Sequence, residues 1–292
     1  MLSRRALLTG LAGAGGLVLL GCSSNATVTG SDPATSSGSS TAKLALQARF
    51  DPNTFVLAGQ EQRLVVSLLG IDGSVVIDVP KTVSFRITKD GADVGAAIPT
   101  PSRSDGIPIP YYAVRATVPT PGTYELVADG VDVRSTTFAA VTPESSHLVR
   151  PGQALPVTDT PTVADHRGIT PLCTRAEQCP FHGLNLREAL AAGKKVALMV
   201  STPKYCQIGV CGPVLDLLIE QAAQHDDIQF VHAEVYTNPD TGSHDTAPII
   251  TTMGLDHEPA LFLVGPDGLV RDRLDFVFDR SEIVSSLTAL SA

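Results

Sequence analysis

The feature that most limits what this chain can fold into is a change of rhythm near Pro143. Before it come short runs rich in β-branched residues, at 44–50, 63–69, 75–79, 83–88, 111–118, 124–128 and 133–141. Turn signals separate them, among them Asp51-Pro52-Asn53, Asp72-Gly73, Lys89-Asp90-Gly91 and Asp129-Gly130. After it, helical and strand patterns alternate. A helix is expected over 185–193 with an Asn cap and a Gly stop, a buried strand over 196–201, and an amphipathic helix over 213–224. A strand at 228–236 and a short helix at 249–255 follow. Two strands, 260–264 and 269–276, are joined by Gly265-Pro266-Asp267-Gly268, and a last helix over 282–290 is capped by Asp279 or Ser281. The pattern predicts two domains, all-β over 43–142 and α/β over 143–292. With 292 residues, 43% of them hydrophobic, both have enough apolar material for a core.

Seven short strands in about 100 residues predict an immunoglobulin-like β-sandwich for the first domain. It contains no Cys, so the antibody-type disulfide is absent. Residues 121–126 (PGTYEL) resemble the late strand of bacterial extracellular sandwich modules, and the Pro-rich stretch 99–110 reads as a loop. No cluster of His, Asp or Glu points to chemistry here, which leaves a spacer or partner-binding role.

The N-terminus reads as an address. Ser3-Arg4-Arg5-Ala6-Leu7-Leu8 resembles a twin-arginine signal, and Leu19-Leu20-Gly21-Cys22 resembles a lipobox. The apolar run between them is short and Gly-rich for a membrane span. The resemblance implies cleavage after residue 21, lipidation of Cys22 and an extracytoplasmic, membrane-anchored protein in a compartment where disulfides persist. Residues 1–22 are then the lipoprotein signal. Residues 23–42, rich in Ser, Thr and Gly, are a disordered tether. A net charge of −9 offers no basic stripe, so nucleic acid is excluded as a partner, and the acyl chains alone hold the protein to the bilayer.

In the second domain, Met199–Cys206 (MVSTPKYC), Pro213-Val214-Leu215-Asp216 and Glu258-Pro259 before ALFLVGPDG resemble the thioredoxin fold. The resemblance covers about half of the chain after the signal. It implies an active-site strand and Cys, a mid-helix Pro, and a cis-Pro at Pro259 facing the Cys, a backbone platform for an extended substrate. The whole resembles thioredoxin-domain lipoproteins of actinobacterial cell envelopes. Three departures stand out. Cys206 and Cys211 are spaced C-x₄-C instead of C-x-x-C, the family's buried Asp of the first strand falls on Val200, and Glu258 precedes the cis-Pro.

A helix N-terminus lowers a thiol pKa, and Lys204 and His257 are candidate positive neighbours for Cys206. Cys211 would be the resolving thiol. On a regular helix, residues five apart point away from each other, so pairing these two requires an irregular first turn, with the helix proper starting at Pro213. Cys173 and Cys179, spaced C-x₅-C, are candidates for a local disulfide or for exchange with the other pair. The four thiols with His182, His232 and His257 also form a metal-donor set. However, C-x₅-C fits zinc-knuckle spacing poorly, and copper chaperones of the thioredoxin fold use C-x₃-C, so no metal and no other cofactor is assigned.

The leading expectation is a membrane-anchored thiol-disulfide exchange protein. Cys206 attacks, Cys211 resolves, and the partners are extracytoplasmic protein thiols or disulfides. The alternatives are a non-catalytic envelope lipoprotein with structural disulfides, a thiol peroxidase (Thr202 lies four residues before Cys206, where that pattern wants three) and copper handling.

Overall fold

The computed structural model describes residues 42–292, which form part of one compact unit. The signal, Cys22 and nearly all of the tether lie outside the described residues. Among those described, no helix is long and apolar enough to cross a membrane.

The structure is mostly β. The first part contains β1 (Leu44–Ala48), β2 (Val56–Leu57), β3 (Glu61–Gly70), β4 (Thr82–Lys89), β5 (Ala92–Asp93), β6 (Ile98–Arg103), β7 (Tyr111–Thr117), β8 (Gly122–Asp129), β9 (Val133–Arg134) and β10 (Thr136–Val141). These form one mixed sheet in the order β2-β10-β8-β4-β6-β7-β3-β1-β9, with β5 paired to β4. The β1–β9 and β10–β2 pairs are parallel and the rest antiparallel. Two separate sheets were expected. Instead β6 pairs with β4 along Ile98–Pro101 and with β7 at Ser102 and Arg103, so the sheet curls without a break.

That strand falls where the sequence reads as a Pro-rich loop. It is tolerated because Pro99 and Pro101 alternate with Ile98 and Thr100, and Ser102 N–H donates to Lys81 O at 2.9 Å. The missing amides therefore face away from β4, on the side where pairing with β7 begins only at Ser102. Conversely, 75–79 is not a strand. It makes one bridge, Leu69 to Val75, on the edge of β3 that β7 leaves open beyond Val66, and Val75 and Ile77 stay exposed. In β4 and β8 the two-residue period buries Val83, Phe85, Ile87, Tyr124 and Leu126 in the core.

An irregular stretch from 142 to 185 leads to α1 (Leu186–Ala191), β11 (Lys195–Val200), α2 (Cys211–Ala222), β12 (Ile228–Ala233), α3 (Pro248–Met253), β13 (Ala260–Val264), β14 (Val270–Asp275) and α4 (Arg280–Ser291). Asn185 caps α1 in a capping box with Glu188. For α4 the cap is Asp279, whose side chain accepts from Glu282 N–H at 3.0 Å. The strands form a second sheet in the order β12-β11-β13-β14. β12 runs parallel to β11, while β13 and β14 run antiparallel to their neighbours. Central β13 is buried throughout and β11 nearly so, as their unbroken apolar sequences require.

The two sheets are locked together by buried polar contacts. Arg63 of β3 donates to Glu282 of α4 through both Nε and an Nη, and to the carbonyls of Asp275 and Val277. Tyr111 Oη donates to the same carboxylate and accepts from Asp279 N–H at 2.9 Å. Arg150, itself buried, bonds Gln62 and the carbonyl of Phe55. Gly106 has φ +80°, and a Cβ there would lie 2.6 Å from Leu217 of α2, so only Gly lets the β6–β7 loop meet that helix.

Candidate functional site

The site grows from the loop between β11 and α2. β11 ends at Val200, and the chain then makes two turns, with Tyr205 N–H donating to Thr202 O and Gly209 N–H to Cys206 O. Gly209 takes φ +68°, a left-handed conformation that a side chain would strain. This tight return folds the five-residue separation back on itself. Cys211 N–H donates to Cys206 Sγ at 3.3 Å, and the two sulfurs lie within 4.8 Å of each other. The helix starts at Cys211, two residues earlier than expected. Pro213 is harmless there, because amides of the first turn have no intrahelical acceptor. The irregularity needed to pair the thiols lies wholly in 206–210, before the helix.

The two thiols are unlike. Cys206 is half-buried and Cys211 fully buried. Hydrogen bonding from the Cys211 side chain lowers the Cys206 thiol to about 6, against the opposing effect of burial. The backbone N–H groups of Cys211, Val210 and Ile208 add to it at the start of α2. Burial, and then the Cys206 sulfur, push the Cys211 thiol far up. Lys204 is held instead by Asp240 at 2.7 Å. The His257 side chain is tied to Asp256 and Asp275 at 2.7 and 2.8 Å. The expected stabilising cations are thus committed elsewhere, and the Cys211 thiol, with backbone N–H groups, takes their place. Thr202 is buried and its hydroxyl lies 3.4 Å from that of Thr174.

The third member of the site is Glu258. Its peptide bond to Pro259 is cis, and a carboxylate oxygen lies within 4.8 Å of both sulfurs. Its Oε2 is buried without a hydrogen-bond partner. Burial, then the charge on Cys206 and on Glu234, raise this carboxyl to about 8. Val200, aligned with the missing Asp, is wholly buried and offers no proton acceptor. A carboxyl reaches the thiols instead from the turn that leads into β13. In the sequence Glu258 registers only as a departure from a pattern, and the backbone turn into β13 is what makes it a neighbour of the sulfurs.

Cys206 opens onto a cleft of about 480 Å³. One wall is Tyr236, His257 and Phe276, and the other comes from the first sheet, through Gln47, Arg49 and Phe50. Phe276 adopts φ +64° and stacks on His257 with ring centroids 4.0 Å apart. The all-β part therefore helps to shape the site. No motif at 47–50 signals this, since the contact depends on how β1 lies against the second sheet.

The other pair lies in the irregular stretch. Cys173 and Cys179 are free thiols like the first pair, but both are buried, and the local disulfide expected between them is not formed in this structure. His182 and His232 lie beside them, and one donor atom from each of the four residues falls within 4.8 Å of all the others. His257, the third histidine of the expected donor set, is elsewhere, on the Cys206 cleft.

No family model matches the chain. No curated protein matches it either. Among solved structures, MTB DsbF, in mixed oxidized and reduced forms, is similar to it with a TM-score of 0.32 and 19% identity. The match covers 47% of this chain and 98% of that one. A likeness of that size leaves fold and chemistry to be read from the residues themselves.

Proposed function

We propose that this protein exchanges disulfides with other proteins through Cys206 and Cys211, on a thioredoxin-like half formed by the second sheet and its helices. The observation that carries the reading is the asymmetry of the pair. A half-exposed thiol lowered to about 6 faces a buried one, within reach of a buried carboxyl and beside a cis-Pro. The strand order β12-β11-β13-β14, with the attacking Cys between β11 and α2, supports the thioredoxin-like assignment.

The chemistry runs as follows. The Cys206 thiolate attacks one sulfur of a substrate disulfide. The substrate S–S bond breaks, a mixed disulfide forms, and the departing sulfur takes a proton. Cys206 has now lost its charge, which removes one of the influences that raise Glu258. The carboxyl ionises more readily and can take the proton from Cys211. The Cys211 thiolate then attacks Cys206 Sγ, releasing the second substrate thiolate and leaving the Cys206–Cys211 disulfide. Two electrons pass from the pair to the substrate. In the reverse direction the same steps oxidise a substrate dithiol. A thiolate already stable near neutral pH favours the reduced pair, which makes the disulfide the more oxidising partner. We assign the protein the role of disulfide donor on that ground.

The same proposal places the chain outside the cytoplasm on a lipid anchor at Cys22, with protein thiols as partners. It treats 43–142 as an immunoglobulin-like module that supplies one wall of the substrate cleft. The test is the reduction potential of the Cys206–Cys211 pair, by titration against glutathione with mass mapping of each Cys. A value near or above about −200 mV upholds an oxidising exchange protein, whereas one below about −300 mV marks a structural bond and ends the reading. In parallel, Cys211→Ser should accumulate mixed disulfides on Cys206.

A further inference from the structure

The second cysteine pair meets two histidines in a way that neither a disulfide nor ordinary hydrogen bonding accounts for. Nδ1 of His232 lies 3.4 Å from Cys179 Sγ, 3.8 Å from Cys173 Sγ and 3.1 Å from Nε2 of His182. Three donor atoms thus converge on one nitrogen, which has a single proton or a single lone pair to offer. The other nitrogen, Nε2, is occupied by Ser201, at 3.0 Å from its hydroxyl and 3.2 Å from its carbonyl oxygen. Donation of Nε2–H to that carbonyl leaves Nδ1 with its lone pair directed at the cluster. Cys173, Cys179, His182 and His232 are all buried, with His182 and His232 exposed by only 1% and 0%.

We infer that Cys173, Cys179, His182 and His232 form a tetrahedral Zn²⁺ site. With Zn–S about 2.3 Å and Zn–N about 2.0–2.1 Å, the ligand atoms of such a site stand about 3.3–3.8 Å apart. The spacings to His232 Nδ1 lie in or near that range, and all four donors stay within 4.8 Å of one another. Two thiolates and two neutral imidazoles balance the ion's charge. Four protein ligands leave no open position, so the site is structural rather than catalytic. Binding releases the thiol protons that remain on Cys173 and Cys179, and no electrons move.

The surroundings fit a fixed site. His232 is held on β12, in register with Met199 of β11. Cys179 caps the short 3-10 turn Pro180–His182 that carries His182. Phe181 of that turn stacks on Phe230 of β12 with centroids 5.2 Å apart. Thr174 N–H donates to the buried Glu234 carboxylate at 2.5 Å. A stretch as long as 142–185 without regular helix or strand needs fastening, and a metal here would pin its middle to the edge strand of the second sheet. The C-x₅-C spacing argues against a knuckle built from one short segment. It does not argue against a site completed by a distant strand.

The test uses the full chain, purified under reducing, oxygen-free conditions. One zinc per chain by elemental mass spectrometry is expected. Exchange with Co²⁺ should give the intense visible bands of a tetrahedral cobalt–thiolate centre. Cys173→Ser and His182→Gln should abolish those bands and weaken zinc binding by at least about 100-fold, while Cys206→Ser leaves both unchanged. Wild-type cobalt spectra need no variant, so a variant that fails to fold does not blunt the test. Recovery of a Cys173–Cys179 disulfide from untreated protein, together with no metal uptake after reduction, would overturn the proposal. So would cobalt bands that disappear with Cys206→Ser but persist in Cys173→Ser. Because this site shares no residue with the Cys206 cleft, its failure would leave the exchange reading untouched.

Discussion

Two cysteine pairs lie in the same half of this molecule, spaced C-x₄-C and C-x₅-C, and their surroundings send them in opposite directions. Cys206 and Cys211 stand where a strand hands over to a helix. One thiol faces a cleft, and its partners are the Cys211 thiol and backbone amides, with the Glu258 carboxyl close by. Cys173 and Cys179 stand in an irregular segment pressed against an edge strand, with no exposed sulfur and two imidazoles as partners. Amide N–H groups stabilise a thiolate without occupying it, so it remains a nucleophile. Imidazole lone pairs next to buried thiols complete a donor shell instead. The difference teaches that in this chain the neighbours, more than the spacing, decide whether a Cys pair reacts or fastens.

The comparison can be pressed hardest at the joint between the sheets. Glu282→Ala removes the carboxylate buried against Arg63 and Tyr111 and strands a buried guanidinium, which should cost about 3–5 kcal/mol. In a denaturant series the buried thiols Cys173, Cys179 and Cys211 should become reactive in one shared transition. Two separate transitions would show that they belong to parts that fold independently. Next comes direct reactivity. In the native reduced protein, iodoacetamide should modify Cys206 at least about 100-fold faster than Cys173 or Cys179. The Cys206 rate should climb with pH and level off above about 6, since thiolate accumulates as pH passes the lowered pKa. Equal rates at both pairs would erase the contrast. A smaller effect is expected from Glu258→Gln, which keeps the shape but cannot take up a proton. Release of the mixed disulfide by Cys211 should slow by about 10-fold or more, measured by quenched-flow mass spectrometry, with the first attack little changed. If only the first attack slows, Glu258 acts on Cys206 and not on Cys211. The smallest effect is a deliberate near-zero. Lys204→Ala should alter the alkylation rate of Cys206 by no more than about twofold, since Asp240 holds that ammonium and the Cys211 thiol, with backbone amides, sets the Cys206 thiol. A larger loss would restore Lys204 to the role its sequence position suggests.

Much of the fold was legible because local patterns act alone. β13 runs over 260–264 as its apolar run predicts. Asn185 caps α1 through contacts with its own sequence neighbours, and Asp279 caps α4 in the same way. The errors fall where a partner strand decides. β6 forms despite two prolines because β4 accepts the amides that remain. Residues 75–79 make only the Leu69–Val75 bridge despite their β-branched side chains, and Val75 and Ile77 stay exposed. The first sheet curls as one piece through β6, a connection no local signal encodes.

The site divides along the same line. The resemblance to the thioredoxin fold pointed to the positions of Cys206, Cys211 and Pro259, and the need for a bend before the helix followed from helix geometry. Glu258 at the sulfurs, Gln47, Arg49 and Phe50 across the cleft, and His182 and His232 around Cys173 and Cys179 were decided only by the tertiary structure. Most of these depend on residues tens or hundreds of positions apart coming close together. By itself the sequence settled the residue types available and the order of most elements in the second half, because capping, turn chemistry and apolar periodicity act over a few neighbours. Which thiol meets an amide, a carboxyl or an imidazole was left to the packing of one sheet on another, because hydrogen bonding and burial depend on distance in space and not along the chain.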